Sequence, residues 1–246
     1  MERIDDHSDT RNHLWCIHCG ETLNDKNCNK DHVPSKMILG RPLPKNTPKV
    51  LICKKCNNKF SKDEEYFFVF LNCVISGSTD PDKQKNRKIA RSLERSPKLR
   101  GRIEKSIVTQ TTFFDEDRVS WRPEYGRLND VIVKNARGHA YFEFGLPLFT
   151  KPTYVNCTPL ELLQADARSS FESVPEGMLW PEIASRSFQR EWSRFESDHE
   201  TGECTVGDWV NVRKRTYRYV VSQVGGILVR SVIFDYLATE VFWSDE

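Results

Sequence analysis

The sequence predicts an α+β protein: a small zinc-stabilised module at the amino terminus, then a larger mixed domain that ends in a β-hairpin. Three observations carry this. Two Cys-x-x-Cys pairs, Cys16/Cys19 and Cys53/Cys56, bracket a stretch punctuated by Gly and Pro. Helical periodicity follows the second pair and returns after Asn129. Near the carboxy terminus, β-branched and aromatic runs flank Gly225-Gly226, the pattern of a hairpin. A chain of 246 residues can bury a sizeable core, and a module of about 50 residues does not account for it. The expected organisation is a module over residues 1–76, a basic helical segment over 77–106 and an α+β domain of unknown role over 107–246.

The cysteine frame comes first. Tetrahedral zinc takes four thiolates at about 2.3 Å, and a two-residue spacer lets one tight turn present two sulfurs to one ion. The second pair closes the site. A site with all four positions filled is structural, because no position is left for water or substrate. The other cysteines, Cys28, Cys73, Cys157 and Cys204, have no framework spacing. Scattered free thiols fit a reducing, cytoplasmic setting. The charged start Met1-Glu2-Arg3-Ile4-Asp5-Asp6 has no apolar signal region. The longest apolar stretch, residues 67–75, is broken by Asn72 and too short to cross a bilayer, so no membrane role is expected.

The remaining elements follow in order. Residues 20–45 should hold a hairpin and its loop, since Gly40, Pro42, Pro44 and Pro48 argue against a helix there. Val50-Leu51-Ile52 reads as a strand running into Cys53. Ser61-Lys62-Asp63-Glu64 has the form of a capping box, and Tyr66, Phe67, Val69, Phe70 and Val74 follow at helical spacing. Residues 76–82 read as a linker or turn. Between Lys83 and Lys105 ten cations face only Glu94 and Glu104. With a net charge of +2 for the whole chain, basic surface must be local, and this is its densest stretch. Arg87, Lys88 and Arg91 there, with Lys36 in the module, are the expected phosphate contacts. Ile89, Leu93 and Ile103 would bury one side of the helices that carry them. Residues 107–130 look irregular. The segment from Asn129 to Gly145 is expected to start as a helix, with His139 as a satisfied, partly buried histidine. Thr158-Pro159-Leu160-Glu161 reads as a second capping box starting a helix to about Phe171. Residues 172–208 suggest mixed helix and loop. Strands are expected over 216–221 and 227–234, and a strand or helix over 236–243.

Between the cysteine pairs lie Asp31-His32-Val33-Pro34, and Asn57 follows the last cysteine. The frame Cys16-x-x-Cys19, Asp31-His32-x-Pro34, Cys53-x-x-Cys56-Asn57 resembles the HNH nucleases, also called His-Me finger or ββα-metal nucleases, in their four-cysteine treble-clef form. Residues 56–67 also resemble a stretch of bacterial HNH-type proteins of similar length. The family's hairpin-loop asparagine is replaced here by Pro48, with Asn46 two residues earlier. The resemblance implies a hairpin whose first strand ends at Asp31-His32 and a short helix starting near the second pair. It implies an endonuclease, acting most naturally on DNA in a bacterial or phage-defence setting. His32 would be the general base. Asp31 and Asn57 would hold Mg²⁺ or Mn²⁺, which stabilises the leaving 3′ oxygen. The chemistry is consistent: neutral imidazole takes protons near neutral pH, and Mg²⁺ binds through one or two protein oxygens plus phosphate. Two other readings stay open. One is a zinc module that binds nucleic acid or acts as an adaptor without turnover. The other is a nuclease subunit awaiting a protein partner or a second copy of itself.

Overall fold

The computed structural model describes residues 3–111, 117–174, 183–190, 209–223 and 225–245. Cys204, residues 112–116 of the stretch read as irregular, and most of the segment 172–208 lie outside these. The chain divides into two compact units: Met1–Asn58 with Ile132–Glu246, and Lys59–Val131.

In the first unit, strands β1 (Cys28–His32) and β2 (Lys49–Cys53) form an antiparallel hairpin. Cys28 lies opposite Cys53, Asp31 opposite Val50 and His32 opposite Lys49. The connection contains a single helical turn, α1 (Lys36–Leu39), where no helix was expected. The Ser35 hydroxyl caps the Met37 amide, and Gly40 ends the turn. One turn fits before the prolines because its orphan amides need only that one cap.

Helix α2 (Lys54–Ser76) follows β2 without a break. The expected start at Ser61 is therefore wrong: Ser61 lies inside the helix. The cysteine turn does the capping, since the Cys56 amide donates to Cys53 Sγ at 3.3 Å. The carboxy end is a Schellman closure. Gly77 (φ +66°) donates to the Val74 carbonyl and Ser78 to that of Cys73, and only glycine takes that left-handed conformation without strain.

In the second unit come α3 (Arg87–Arg95) and α4 (Pro97–Glu104), capped by Asn86 and Ser96. They bury Ile89, Leu93 and Ile103 as expected. The stretch read as irregular instead forms an antiparallel pair, β3 (Ile107–Thr111) and β4 (Asp117–Trp121). The β-branched run Ile107-Val108-Thr109 was the signal. Tyr66 stacks on Phe70, whose ring meets Trp121 edge-on. The Tyr66 hydroxyl accepts from the Glu124 amide at 3.0 Å.

Helix α5 (Tyr125–Phe144) covers the helix expected to start at Asn129 and ends one residue before Gly145. Strand β5 (Tyr154–Pro159) pairs Thr158 with Ala238 and Pro159 with Leu237. The second capping box is thus also wrong: a sheet partner claims Thr158 and Pro159 before they can start a helix. Helix α6 (Ala165–Glu172) begins later, without a side-chain cap bond at Gln164. Strands β6 (Val210–Arg213), β7 (Tyr217–Gln223), β8 (Gly226–Ile233) and β9 (Leu237–Ser244) complete an antiparallel sheet of order β5-β9-β8-β7-β6. The hairpin around Gly225-Gly226 is present as β7 and β8, and the last segment is a strand. Among the described residues the two edges are β5, which ends on Pro159, and β6, four residues long with a register shift between Asn211 and Arg213.

Side chains alternate across a sheet, and the two faces of this one differ. Tyr217 and Tyr219 meet α5. The fully buried His139 stacks on Tyr219 with centroids 3.7 Å apart and hydrogen-bonds the Tyr217 hydroxyl at 3.0 Å. On the other face Val232 and Ala238 pack with Leu160 and Phe171. There Arg218 grips Glu172 through two 2.7 Å bonds.

One contact makes a test. A Cβ at Gly138 of α5 would sit 2.7 Å from Val33 Cγ2 and 3.0 Å from Cγ1. Alanine inside a helix normally gains about 0.5–1 kcal/mol over glycine. Here a β-branched side chain with little freedom blocks it, so Gly138→Ala should destabilise by about 1–3 kcal/mol. Denaturant midpoints would show it, and Val33→Ala in the same chain should recover most of the loss. A Gly138→Ala chain at least as stable as the parent contradicts the packing.

Candidate functional site

The thiols of Cys16, Cys19, Cys53 and Cys56 all lie within 4.8 Å of one another. Cys19 Sγ and Cys53 Sγ are 3.7 Å apart. Zinc–sulfur bonds of about 2.3 Å in a tetrahedron require sulfur separations of about 3.8 Å. The donor set and the spacing therefore fit one structural zinc. Local backbone bonds build the first turn: Gly20 and Cys19 donate to the Cys16 carbonyl, and Cys16 donates to that of Glu21. The second pair joins the end of β2 to the start of α2. Burial, then the neighbouring Cys16 thiol, pushes the Cys56 thiol far above its usual range. Buried thiols without a metal keep their protons, so bound metal must displace them.

The hairpin pinned by these cysteines carries Asp31 and His32 at the end of β1. His32 is 9% exposed, and among the described residues its buried Nδ1 has no hydrogen-bond partner. Burial lowers its pKa from the ordinary value of about 6.5. The cations of Lys36 and Lys49 lower it further, Asp31 opposes them, and Lys134 adds a smaller push downward. The imidazole is thus neutral at pH 7. Lys36 and Lys49 are exposed, and the Pro48 carbonyl accepts from the Val33 amide at 3.0 Å. That bond holds the backbone just past His32.

Asp31 faces a residue that sequence reasoning missed. Lys134 Nζ of α5 lies 2.7 Å from Asp31 Oδ2, with side-chain exposures of 2% and 12%. The carboxylate is built to hold a cation, and an ammonium takes that place. Lys134 belongs to a stripe. Arg137, one turn on, donates to the Thr150 carbonyl at 2.7 Å. Burial lowers its pKa, while the charges of Cys16 and Cys56 support it. Gly138 meets Val33, and the Tyr141 hydroxyl donates to the Asn12 carbonyl at 3.3 Å. Positions 134, 137, 138 and 141 share one helix face, and that face backs the cysteine module. The available signal was two cations set among Val131, Ile132, Ala136 and Ala140.

The other expected residues are distributed. Asn57 lies in the first turn of α2, half-buried, directly after Cys56. Arg87, Lys88 and Arg91 are exposed on α3 in the second unit. None of the described helices is long and apolar enough to cross a membrane. The chain matches no protein-family model, no curated protein and no solved structure.

The cysteine geometry leads to a measurement. Protein purified without chelators should contain one zinc per chain by elemental analysis. Cys53→Ser should lose it and unfold the module, because structural zinc supplies folding free energy. Retention should weaken as pH falls, since protons compete for the four thiolates. A zinc-free, folded parent would refute the assignment.

Proposed function

We propose that this protein is a metal-dependent endonuclease of the HNH type, in its four-cysteine treble-clef form, that hydrolyses phosphodiester bonds in nucleic acid, DNA first among them. The observation that carries the reading is His32: a neutral, buried imidazole whose Nδ1 has no hydrogen-bond partner among the described residues, surrounded by Lys36, Lys49 and Lys134 and set beside Asp31. Such a group accepts a proton from water, and the surrounding ammoniums favour an anionic substrate. His32 is the general base in this reading. Asp31 and Asn57 offer the hard oxygen ligands that Mg²⁺ or Mn²⁺ prefers, and a bound ion would stabilise the leaving 3′ oxygen. The zinc cluster fixes the hairpin and the start of α2, which carry all three residues. An adaptor that only binds needs no unpartnered, neutral histidine at this position.

The decisive experiment is cleavage of plasmid, single-stranded DNA and RNA with Mg²⁺, Mn²⁺ or EDTA. His32→Ala should lower turnover by roughly 10²–10⁴-fold while zinc content and nucleic-acid binding persist. Asp31→Ala should blunt the Mg²⁺ response, and Asn57→Ala should do so less, since a neutral amide attracts the ion less. Parental cleavage by His32→Ala rules out the assigned base. If the parent cuts nothing under any metal, alone or with partners, the adaptor reading prevails.

The exposed cations of α3 support a separate, sequence-independent contribution to binding. Each lost phosphate contact should flatten the slope of log K against log salt by about 0.9 for duplex DNA. Replacing Arg87, Lys88 and Arg91 by Ala should therefore reduce that slope. An unchanged slope would return α3 to the role of a solvated surface.

A further inference from the structure

The second unit holds a cationic cleft of its own. Its larger lobe is a cavity of about 500 Å³ between α4, the residue after β4 and the start of α5. That volume lies within the roughly 300–1,000 Å³ of small-molecule sites. Lys98, Arg102, Lys105 and Arg122 line it, and among the described lining residues Glu124 is the only acid. A second lobe of about 370 Å³ shares Tyr66, Lys98 and Arg102, and adds Lys62 and Arg127 against Glu65.

Two features of α4 work against the helix itself. Lys98, Arg102 and Lys105 stand at i, i+4 and i+7, on one face, and like charges at such spacing destabilise a helix. Glu104, the acid that α4 carries, is bonded to Arg100 at 2.8 Å instead. The second feature is Gly101, at i+3 on the same face. Glycine in a helix interior is less stable than alanine, because it loses more backbone freedom. A Cβ there would meet nothing within 4 Å, so no packing contact requires its absence. Gly101 lines the cavity, and a side chain at that position would take up cleft space.

The wall around these residues is fixed. The Arg122 amide donates to the Ser106 carbonyl at 2.7 Å, and the Ser106 hydroxyl donates to that of Ile103 at 2.6 Å. Arg102 is paired with Glu124 at 3.0 Å, and the Glu124 amide donates to the Tyr66 hydroxyl. Lys98, Lys105 and Arg122 are exposed, and they form no ion pair among the described residues. Like charges arrayed around a hollow are stabilised by an anion. Guanidinium forks match phosphate oxygens two at a time, and ammoniums add point charge. Four cations against one carboxylate suit an anion of several charges better than a single one.

We propose that this cleft binds a ligand carrying two or more phosphate groups, held by Lys98, Arg102, Lys105 and Arg122, with Gly101 leaving it room. The phosphates belong to a free nucleotide or to a nucleic-acid strand. This does not rest on the nuclease reading of His32, which lies in the other unit.

The test is calorimetric titration of the zinc-loaded full chain at fixed ionic strength. No divalent cation is added, so that nucleic acid is not cut. The probes are inorganic pyrophosphate, ATP and a single-stranded oligodeoxynucleotide. Pyrophosphate and ATP should each bind saturably at one per chain. An oligonucleotide that competes poorly with them identifies a free nucleotide as the ligand; one that binds tighter and displaces both identifies a strand. Lys98→Ala and Arg122→Ala should each weaken binding roughly tenfold, the size of one lost charge-assisted bond. Gly101→Leu changes no charge, yet should weaken binding by roughly tenfold or more through steric exclusion, with thermal melting at or above that of the parent. Arg100→Ala removes a cation from the same helix away from the cleft, and should bind as the parent does. If Gly101→Leu fails to fold, Gly101→Gln carries the same expectation. Parental affinity in a folded Gly101 variant overturns the proposal, as does an equal loss at Arg100→Ala and Arg122→Ala, which describes a general cationic surface. Sulfate that displaces pyrophosphate at equal concentration reduces the cleft to an unselective anion site and overturns it too. So does the absence of saturable binding by all three probes.

Discussion

Gathering four thiols, three of them on buried cysteines, into one cluster is the constraint on which the rest of the first unit depends. Cys16 and Cys19 come from a loop, Cys53 from the end of a strand and Cys56 from the first turn of a helix. A hairpin this short, isolated in water, is marginal at best. Tying its far end to the start of α2 and to the amino-terminal turn removes that freedom. Four thiolates around one divalent ion carry a net charge of about −2, and a buried charge of that size needs compensation. The nearby guanidinium of Arg137 supplies part of it. The metal cluster and α5 are thus electrostatically matched, although some eighty residues of sequence separate them.

The same helix shows a division of labour between its faces. One face sends Lys134 and Arg137 toward the cysteine module, and the other buries His139 against Tyr217 and Tyr219. Glu143 is also buried, bonded to the Tyr219 hydroxyl and to Arg190. Burial drives the His139 pKa well down and that of Tyr219 well up. Both groups therefore stay neutral, and the seam between helix and sheet is hydrogen-bonded without housing a free charge there. A polar interface of this kind demands one register, because a slip would leave several buried groups unpaired.

Much of this was legible in the sequence where the signal was local. The cysteine spacing, the strand Val50-Leu51-Ile52, the helix after Asn129 and the hairpin at Gly225-Gly226 all rest on patterns within a few residues. The failures have a common cause. Ser61 and Thr158 carry valid capping patterns, yet one lies inside a helix already started at the cysteine turn and the other in a strand paired to β9. Local preferences worth about 1 kcal/mol yield to such tertiary pairing. The pair of Asp31 with Lys134 was invisible for a different reason: no sequence spacing links a hairpin end to a helix a hundred residues on. What could have been read was the oddity of a lysine in an apolar helix, since a buried cation needs an anion.

The edges of the carboxy-terminal sheet bear on self-association. An open sheet offers unpaired amides and carbonyls along its outer strands, and another chain can add to them. Here β5 stops at a proline, which has no amide to offer, and β6 is brief and kinked by its register shift. Both edges are poor templates for a further strand. Copies of this chain meeting through continuous β-pairing, as in fibrils or strand-swapped dimers, would therefore find little backbone to grip, and assembly would have to be built from side chains.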